Sequence, residues 1–240
     1  DRGRADNETL AVSIFVNPIQ FGPDEDLTKY PRNLDADLEL LTQHGVDLVY
    51  VPDVSEVYPD GFSTWVDIGP MADRLEGLER PGHFRGVATV VSKLFNITRP
   101  DRAYFGQKDG QQTLVGKKLV RDLDIGTEIV VCPTVREDDG LAISSRNVML
   151  DPAQRLAAAT VYWALIQARE VWAGGDLDAH RLRIAVRDLL ESEPLFQVID
   201  YVSVADAETL EELDFVEGPA MVSTAVRLGN IRIIDNVIIG

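Results

Sequence analysis

The fold is decided at Phe105-Gly106-Gln107-Lys108-Asp109-Gly110-Gln111-Gln112, where a predicted strand over 102–105 passes through a glycine turn into a predicted helix. Gly106 allows the backbone to approach a ligand near the positive end of that helix. Lys108 offers a compact cation to phosphate oxygens, and Asp109 can accept from a ribose hydroxyl or cap the helix. Alone, this turn is more typical of a helix-capping surface loop, but the neighbouring motifs favour a nucleotide site.

Strands and helices alternate on both sides of this turn. The segment 10–16 is a short, mostly apolar strand that ends at Asn17-Pro18, and the segment 46–51 is another. Between them, leucines at helical spacing predict a helix with Asn33 as N-cap and Gly45 as its stop. Such a unit places its strands in parallel. The same alternation continues through a short strand at 64–68, a helical stripe at Val87, Val90, Val91 and Leu94, and a strand at 127–132.

After Pro133 the pattern changes. Asp151-Pro152 predicts a helix start, and a second helix follows the Gly174-Gly175 break. The predicted buried faces are Leu156, Ala159, Trp163 and Ile166 on the first helix, and Leu182, Ala185, Val186 and Leu189 on the second. Three strands close the chain at 198–204, 221–228 and 231–239, with a hairpin turn at Gly229-Asn230.

These patterns predict an α/β protein with a Rossmann-like, doubly wound parallel sheet and a smaller C-terminal α+β domain. We place the first domain, for nucleotide and substrate binding, at residues 1–136. The second domain, at residues 137–240, carries the Ser144-Ser145-Arg146 segment.

Composition narrows the function classes. The 240 residues carry a net charge of −17, which argues against a nucleic-acid partner but does not forbid a mononucleotide. No run of about 18 apolar residues occurs, so the sequence predicts no membrane span. The single cysteine, Cys132, lies in an apolar run and is compatible with the cytoplasm. No histidine and cysteine spacing suits a metal, so we predict no metal ligands.

Three further groups of polar residues carry candidate chemistry. Gln20 and Gln112 bear amide donors and acceptors suited to an acid with hydroxyls, although a lone glutamine is usually a surface residue. The segment 143–146 has two hydroxyls and a guanidinium, which can grip phosphate oxygens but also fit a plain loop. Arg80, His83 and Arg85 form a basic cluster that faces phosphates or is a surface turn.

In this order and spacing, the motifs resemble the pantothenate synthetase family over nearly the whole chain. Beyond the stretches already quoted, the resemblance rests on 16–22, 29–32, 58–61, 80–86, 99–102, 133–137 and 139–147. The family's opening His-x-Gly-His signature is not present in this chain. Gln107 stands where Glu is usual, Gly110 where an aromatic residue is usual, and Ile143 where Met is usual.

The resemblance implies an ATP-dependent ligase that joins pantoate to β-alanine through pantoyl adenylate, releasing AMP and pyrophosphate. Catalysis would then involve Lys108, Ser144, Ser145 and Arg146. ATP would contact these four residues together with Gly106, Gln107, Asp109, Val135 and Ile143. Gln20 and Gln112 would bind pantoate, and Gln20 also β-alanine. Magnesium would enter with ATP, and the protein would be a cytoplasmic homodimer.

Two alternatives stay open at this stage. One is a transferase of the same broad fold that moves AMP onto a phosphate ester, although it would have no use for paired acid-binding glutamines. The other is a non-catalytic protein that binds nucleotide or pantoate without the histidine signature. Parallel α/β sheets are normally covered on both faces and bind nucleotides at the ends of their strands. By resemblance to the family, we therefore expect roughly 40–60 further residues before Asp1 in the natural polypeptide.

Overall fold

The computed structural model describes residues 1–22, 27, 30 and 32–240. Its helices are α1 (Arg2–Asp6), α2 (Leu34–Gln43), α3 (Val54–Val57), α4 (Glu76–Glu79), α5 (His83–Thr98), α6 (Gly110–Asp122), α7 (Pro152–Ala158), α8 (Thr160–Ala173) and α9 (Ala179–Glu191). Its strands are β1 (Ala11–Ser13), β2 (Leu48–Tyr50), β3 (Arg102–Gly106), β4 (Glu128–Cys132), β5 (Val198–Asp206), β6 (Ala220–Leu228) and β7 (Ile231–Ile239).

The strands of the first half pair in parallel, as the alternating pattern predicts. β1 pairs with β2, with Ala11 opposite Leu48, and β3 pairs with β4, with Arg102 opposite Glu128. Between β1 and β2, Asn33 is the N-cap of α2, since its side chain accepts from the Ala36 amide, and Gly45 follows the helix at φ +68°. The α/β class is therefore confirmed, with β1 and β2 shorter than predicted.

The core of the first half forms around α5 and α6. The predicted stripe on α5 is largely buried and packs with Val115 and Leu119 of α6. Gly86 lets α5 approach the short 3₁₀ turn Pro18–Gln20, because a Cβ at this position would lie 2.7 Å from the Ile19 carbonyl oxygen. This close approach brings Gln20 beside His83 at the start of α5.

The second half is an antiparallel sheet packed against two helices. β5, β6 and β7 pair in that order, and the β6–β7 hairpin turns at Gly229 and Asn230, as predicted. Leu165 of α8 and the fully buried face of α9 pack on this sheet. This core and the one around α5 are separate clusters of buried side chains. The boundary between 136 and 137 stays a prediction.

One local prediction is wrong, and a second is only half right. The segment 64–68 forms no strand, because the Val66 amide donates to the Thr89 hydroxyl instead of to a neighbouring strand. On the predicted buried face of the first helix after Pro133, Leu156 and Trp163 are 75% and 51% exposed, whereas Ala159 and Ile166 are buried as predicted. The helix breaks at Ala159, and the buried face consists mainly of small residues that permit close packing.

Within the described ranges, no helix is long and apolar enough to cross a membrane.

Candidate active site

A cleft of about 330 Å³ opens where the chain leaves β1, between the Lys108 turn and the segment 143–146. It brings together eight of the predicted site residues, namely Gln20, Lys108, Asp109, Gln112, Ile143, Ser144, Ser145 and Arg146. Asn17, Tyr30, Arg80 and His83 complete its polar lining. Amides, hydroxyls and cations therefore converge on one concave surface, as a site for a polar anionic ligand requires.

The Lys108 turn supplies a cation beside a helix N-terminus. Residues 107–109 form a single 3₁₀ turn between β3 and α6, so Lys108 stands at the positive end of the α6 dipole. Its Nζ lies 3.7 Å from Asp109 Oδ1, and its side chain is 21% exposed. A partly buried ammonium at a helix N-terminus attracts phosphate oxygens.

Gln20 is oriented by Asn17, which is buried. Asn17 Nδ2 donates to the Gly86 carbonyl at 3.2 Å and to Gln20 Oε1 at 3.0 Å. Because the carbonyl can only accept, these contacts fix the orientation of both amides. The amide nitrogen of Gln20 then carries the donors that a carboxylate or hydroxyl oxygen requires.

Tyr58 holds Asn17 from the other side. The Tyr58 hydroxyl donates to Asn17 Oδ1 at 2.8 Å. Burial raises the pKa of Tyr58 to about 12, against the opposing effect of the hydrogen bond to Asn17. The hydroxyl therefore stays protonated at neutral pH and keeps donating.

His83, the first residue of α5, contacts the backbone of Gln20, and its partners define its tautomer. Its Nδ1 lies 2.9 Å from the Gln20 carbonyl oxygen, and its Nε2 lies 3.3 Å from an Arg80 guanidinium nitrogen. The carbonyl can only accept and the guanidinium can only donate, so Nδ1 carries the proton and Nε2 accepts. His83 thus links Arg80 to the backbone of Gln20 at the cleft wall.

The segment 143–146 is anchored at both ends. The Ile143 amide donates to the Val135 carbonyl at 3.0 Å, which joins the segment to the chain leaving β4. Ser145 Oγ donates to the Tyr30 hydroxyl at 3.2 Å, and the Arg146 guanidinium lies 5.4 Å from the Tyr30 ring centre. Ser144, Ser145 and Arg146 line the same cleft as the Lys108 turn.

Other predicted residues lie outside the cleft lining. Gly106 and Gln107 precede Lys108 without lining the cleft, and Val135 contributes its backbone carbonyl to the anchor of Ile143. Of the basic cluster, Arg85 does not join the site, because its guanidinium lies 4.7 Å above the Trp65 ring. Lys29 and Pro31 of the 29–32 motif fall outside the described residues.

Sequence reasoning missed a buried ion network behind the site. Arg232 of β7 donates to both carboxylate oxygens of Glu76, at 2.6 and 2.7 Å, and to Asp200 at 2.5 Å. Burial alone would raise the pKa of Glu76, but the hydrogen bonds and charge of Arg232 hold that pKa below its ordinary value. No local pattern marks this network, because its members lie far apart in the chain.

Gln111 completes this support. Its amide nitrogen donates to the carbonyls of Met71 and Arg74, and its oxygen accepts from the Glu76 amide at 3.0 Å. Adjacent glutamines on α6 thus have different surroundings, since Gln111 faces the protein and Gln112 lines the cleft. Gln111 and Arg232 together fix the segment that leads into Arg80.

No group of three or more histidine, cysteine or acidic side chains among the described residues could hold a metal ion. Among the described residues that line the cleft, Asp109 is the acidic one, and Lys108 lies beside it.

Comparison with known proteins gives a consistent result. The model of the family described as pantoate-beta-alanine ligase matches residues 1–238. A pantothenate synthetase of Roseiflexus sp. (strain RS-1) is 57% identical over 238 residues, which are 99% of this chain and 85% of that protein. A pantothenate synthetase of Chloroflexus aggregans is 57% identical over 239 residues, covering 98% and 85% of the two chains.

Solved structures agree with these relatives. The crystal structure of pantothenate synthetase from Thermus thermophilus matches with a TM-score of 0.95 and 47% identity, over 98% of this chain and 85% of that one. The structure of a pantoate-beta-alanine ligase from Francisella tularensis, complexed with beta-gamma ATP and beta-alanine, matches with a TM-score of 0.78 and 34% identity, over 98% and 81%.

Proposed function

The chain belongs to the pantoate–β-alanine ligase family, and from that premise we propose how its cleft carries out the reaction. The protein is an ATP-dependent ligase that condenses pantoate with β-alanine. Membership of this family favours a ligase over the two alternatives, a non-catalytic binding protein and an AMP transferase. The observation that carries the mechanism is the meeting of Lys108, the glutamines and the serine segment in one cleft.

The first step activates the pantoate carboxylate. One carboxylate oxygen attacks the α-phosphorus of ATP, pyrophosphate leaves, and pantoyl adenylate forms. Lys108 and Arg146 neutralise the negative charge that grows on the phosphate oxygens, while Ser144 and Ser145 donate hydrogen bonds to them. Their common place in the lining of one cleft supports these roles.

Gln20 and Gln112 hold pantoate against the nucleotide. The orientation that Asn17 gives to Gln20 leaves amide donors for the acid, and Gln112 meets it from the first turn of α6. Fixing the two reactants side by side converts a slow encounter into an intramolecular step. In the second step the amine of β-alanine, placed near Gln20, attacks the acyl carbon and AMP leaves.

The nucleoside would contact the chain around Gly106, Gln107, Asp109, Val135 and Ile143. Asp109 and Ile143 line the cleft and support this placement, whereas Gly106, Gln107 and Val135 would contribute through backbone atoms. Magnesium would enter with ATP. The donor set fits a metal held mainly by phosphate oxygens, since the described residues that line the cleft include several cations and, of the acids, Asp109 alone.

We also propose that the protein is a cytoplasmic homodimer. The family resemblance supports the dimer, and so do the exposed apolar side chains Leu40, Leu48 and Val54 on neighbouring elements. The use of a single, unpaired cysteine fits a reducing compartment. Light scattering after size-exclusion chromatography measures the molar mass of the assembly. A monomeric mass at micromolar concentration would contradict the dimer.

Isotope exchange between pyrophosphate and ATP tests the adenylation step. We expect exchange that depends on pantoate and does not require β-alanine. Exchange without pantoate would indicate a different acceptor of AMP. Binding of both ligands with no exchange would support the non-catalytic alternative.

A further inference from the structure

The turn that carries Lys108 is held by a side chain from the other half of the molecule. Asn236 of β7 donates from Nδ2 to the Gln107 carbonyl at 2.8 Å and to the Lys108 carbonyl at 3.0 Å. Its Oδ1 accepts from Gln107 Nε2 at 2.7 Å. Asn236 is 4% exposed, and its ladder position opposite Ser223 fixes its backbone.

The chemistry of these partners fixes which way the amide points. Two backbone carbonyls can only accept, so the NH₂ group of Asn236 must face them and Oδ1 must face residue 107. The side chain at position 107 must therefore donate, which Gln does. A carboxylate there would place a negative oxygen against Oδ1, and the asparagine could not satisfy that carboxylate and both carbonyls together.

Gly110 provides the space for this contact. A Cβ at position 110 would lie 3.0 Å from Asn236 Nδ2 and 2.6 Å from Met221 Sδ. The backbone of Gly110 is ordinary right-handed helix, at φ −51° and ψ −49°, so dihedral freedom does not explain the glycine. The close approach of β7 to the first turn of α6 does explain it.

We propose that Asn236 is a positioning residue for Lys108, and that Gln107 and Gly110 are its structural complement. Asn236 donates to the carbonyls of Gln107 and Lys108. It thereby fixes the Lys108 backbone, from which the side chain extends to the phosphates. The two unusual residues of the turn then form one unit with β7. The inference rests on the role proposed above for Lys108.

Asn236→Asp is the direct test, because it keeps the shape and replaces both N–H donors by a carboxylate oxygen. We expect kcat for pantoate-dependent pyrophosphate release to fall roughly ten- to hundredfold, with the KM for pantoate changed less than about twofold, since Gln20 and Gln112 are untouched. Gln107→Glu and Gly110→Ala disturb the same contact from the other side and should lower kcat in the same way.

Comparison with the Lys108→Ala background separates positioning from general damage. If Asn236 acts through Lys108, adding Asn236→Asp to Lys108→Ala lowers kcat by less than about threefold more, because contributions through one group are not additive. An equal loss in both backgrounds would overturn the proposal. A Lys108→Ala variant with full activity would instead refute the proposed role of Lys108 itself.

Ser223→Ala is the matched control. Ser223 is buried opposite Asn236 on β6, and its hydroxyl has no hydrogen-bond partner within the described part of the chain. The kcat of the Ser223→Ala variant should stay within about twofold of the wild-type value. If Asn236→Asp does not fold, Gln107→Glu and Gly110→Ala decide the question, and unchanged kcat in both overturns the proposal.

Discussion

Replacing Arg232 by methionine tests the buried ion network that joins β7 to the segment before Arg80. In the wild-type protein the guanidinium contacts both oxygens of Glu76 and one oxygen of Asp200. The side chains of Glu76 and Asp200 are only 8% and 3% exposed. Methionine fills much of the volume but leaves Glu76 with the Tyr201 hydroxyl as a remaining partner.

The expected loss of unfolding free energy depends on which buried charges lose their partner in the variant. Asp200 keeps its ion pair with Arg227 at 2.8 Å, whereas Glu76 loses a bidentate pair. Orphaning a buried charge in this way costs about 3–5 kcal/mol of unfolding free energy. In a chain of this size each kcal/mol shifts Tm by about 2–4 °C, so we expect a Tm lower by roughly 6–20 °C.

The pH dependence of the unfolding free energy is the more specific test of this reasoning. Without Arg232, burial prevails and raises the pKa of Glu76 above its ordinary value of 4.5. A carboxyl with a raised folded-state pKa stabilises the fold when it is protonated. The unfolding free energy of the variant should therefore rise as pH falls from 7 toward 5.

Chemical denaturation at pH 7 and pH 5 measures both effects. The control is Arg187→Met, which removes an exposed pair with Glu191 at 3.7 Å and should cost at most about 1 kcal/mol. Adding Glu76→Gln to Arg232→Met removes the orphaned charge and should restore part of the loss. A loss below about 1 kcal/mol at pH 7, or no recovery at pH 5, would refute the reasoning.

Three further predictions concern turnover, binding and acid stability. Lys108→Ala should lower kcat of adenylation by about 10²–10³, while Lys118→Ala, farther along α6, should not; equal kcat for the two variants would remove Lys108 from the mechanism. Gln112→Ala should weaken pantoate binding by about 1–3 kcal/mol and leave ATP binding intact, and calorimetric titration showing equal losses would reject the pocket assignment. In the wild-type protein, burial acts to raise the pKa values of Glu76 and Asp200, but Arg232 holds the pKa of Glu76, and Arg227 with Arg232 that of Asp200, below the ordinary values. The stability that the two carboxylates contribute is therefore complete above about pH 4.5 and is lost as pH falls below it. Thermal scans with constant Tm from pH 5 to 3 would contradict this.

The sequence predicted those parts of the fold that depend on local pattern. Asn33 as a cap, the Asp151-Pro152 helix start and the Gly229 hairpin follow from rules that involve neighbouring residues, and the structure confirms all three. The buried face of α8 was predicted only in part: Ile166 is buried as expected, whereas the bulky Trp163 lies outside and donates its indole N–H to the Asp139 carbonyl.

The lining of the cleft was predictable where its residues occur in motifs, since eight of the predicted residues meet there; their roles stay predictions. Its support was not predictable, because it depends on contacts over long stretches of chain. Glu76 and Arg232 are 156 residues apart, and Gln107 and Asn236 are 129 apart. Hydrogen-bond pairing at such separation leaves no periodic signal in the sequence.

The central claim is that the pantoate carboxylate takes AMP before it meets the amine. Pantoate labelled with ¹⁸O in both carboxylate oxygens tests this directly in a reaction with ATP and β-alanine. The mechanism predicts one labelled oxygen in AMP and the other in the amide carbonyl of pantothenate, because the attacking oxygen leaves with the α-phosphate. Label in inorganic phosphate, with ADP as the nucleotide product, or AMP without label would contradict it.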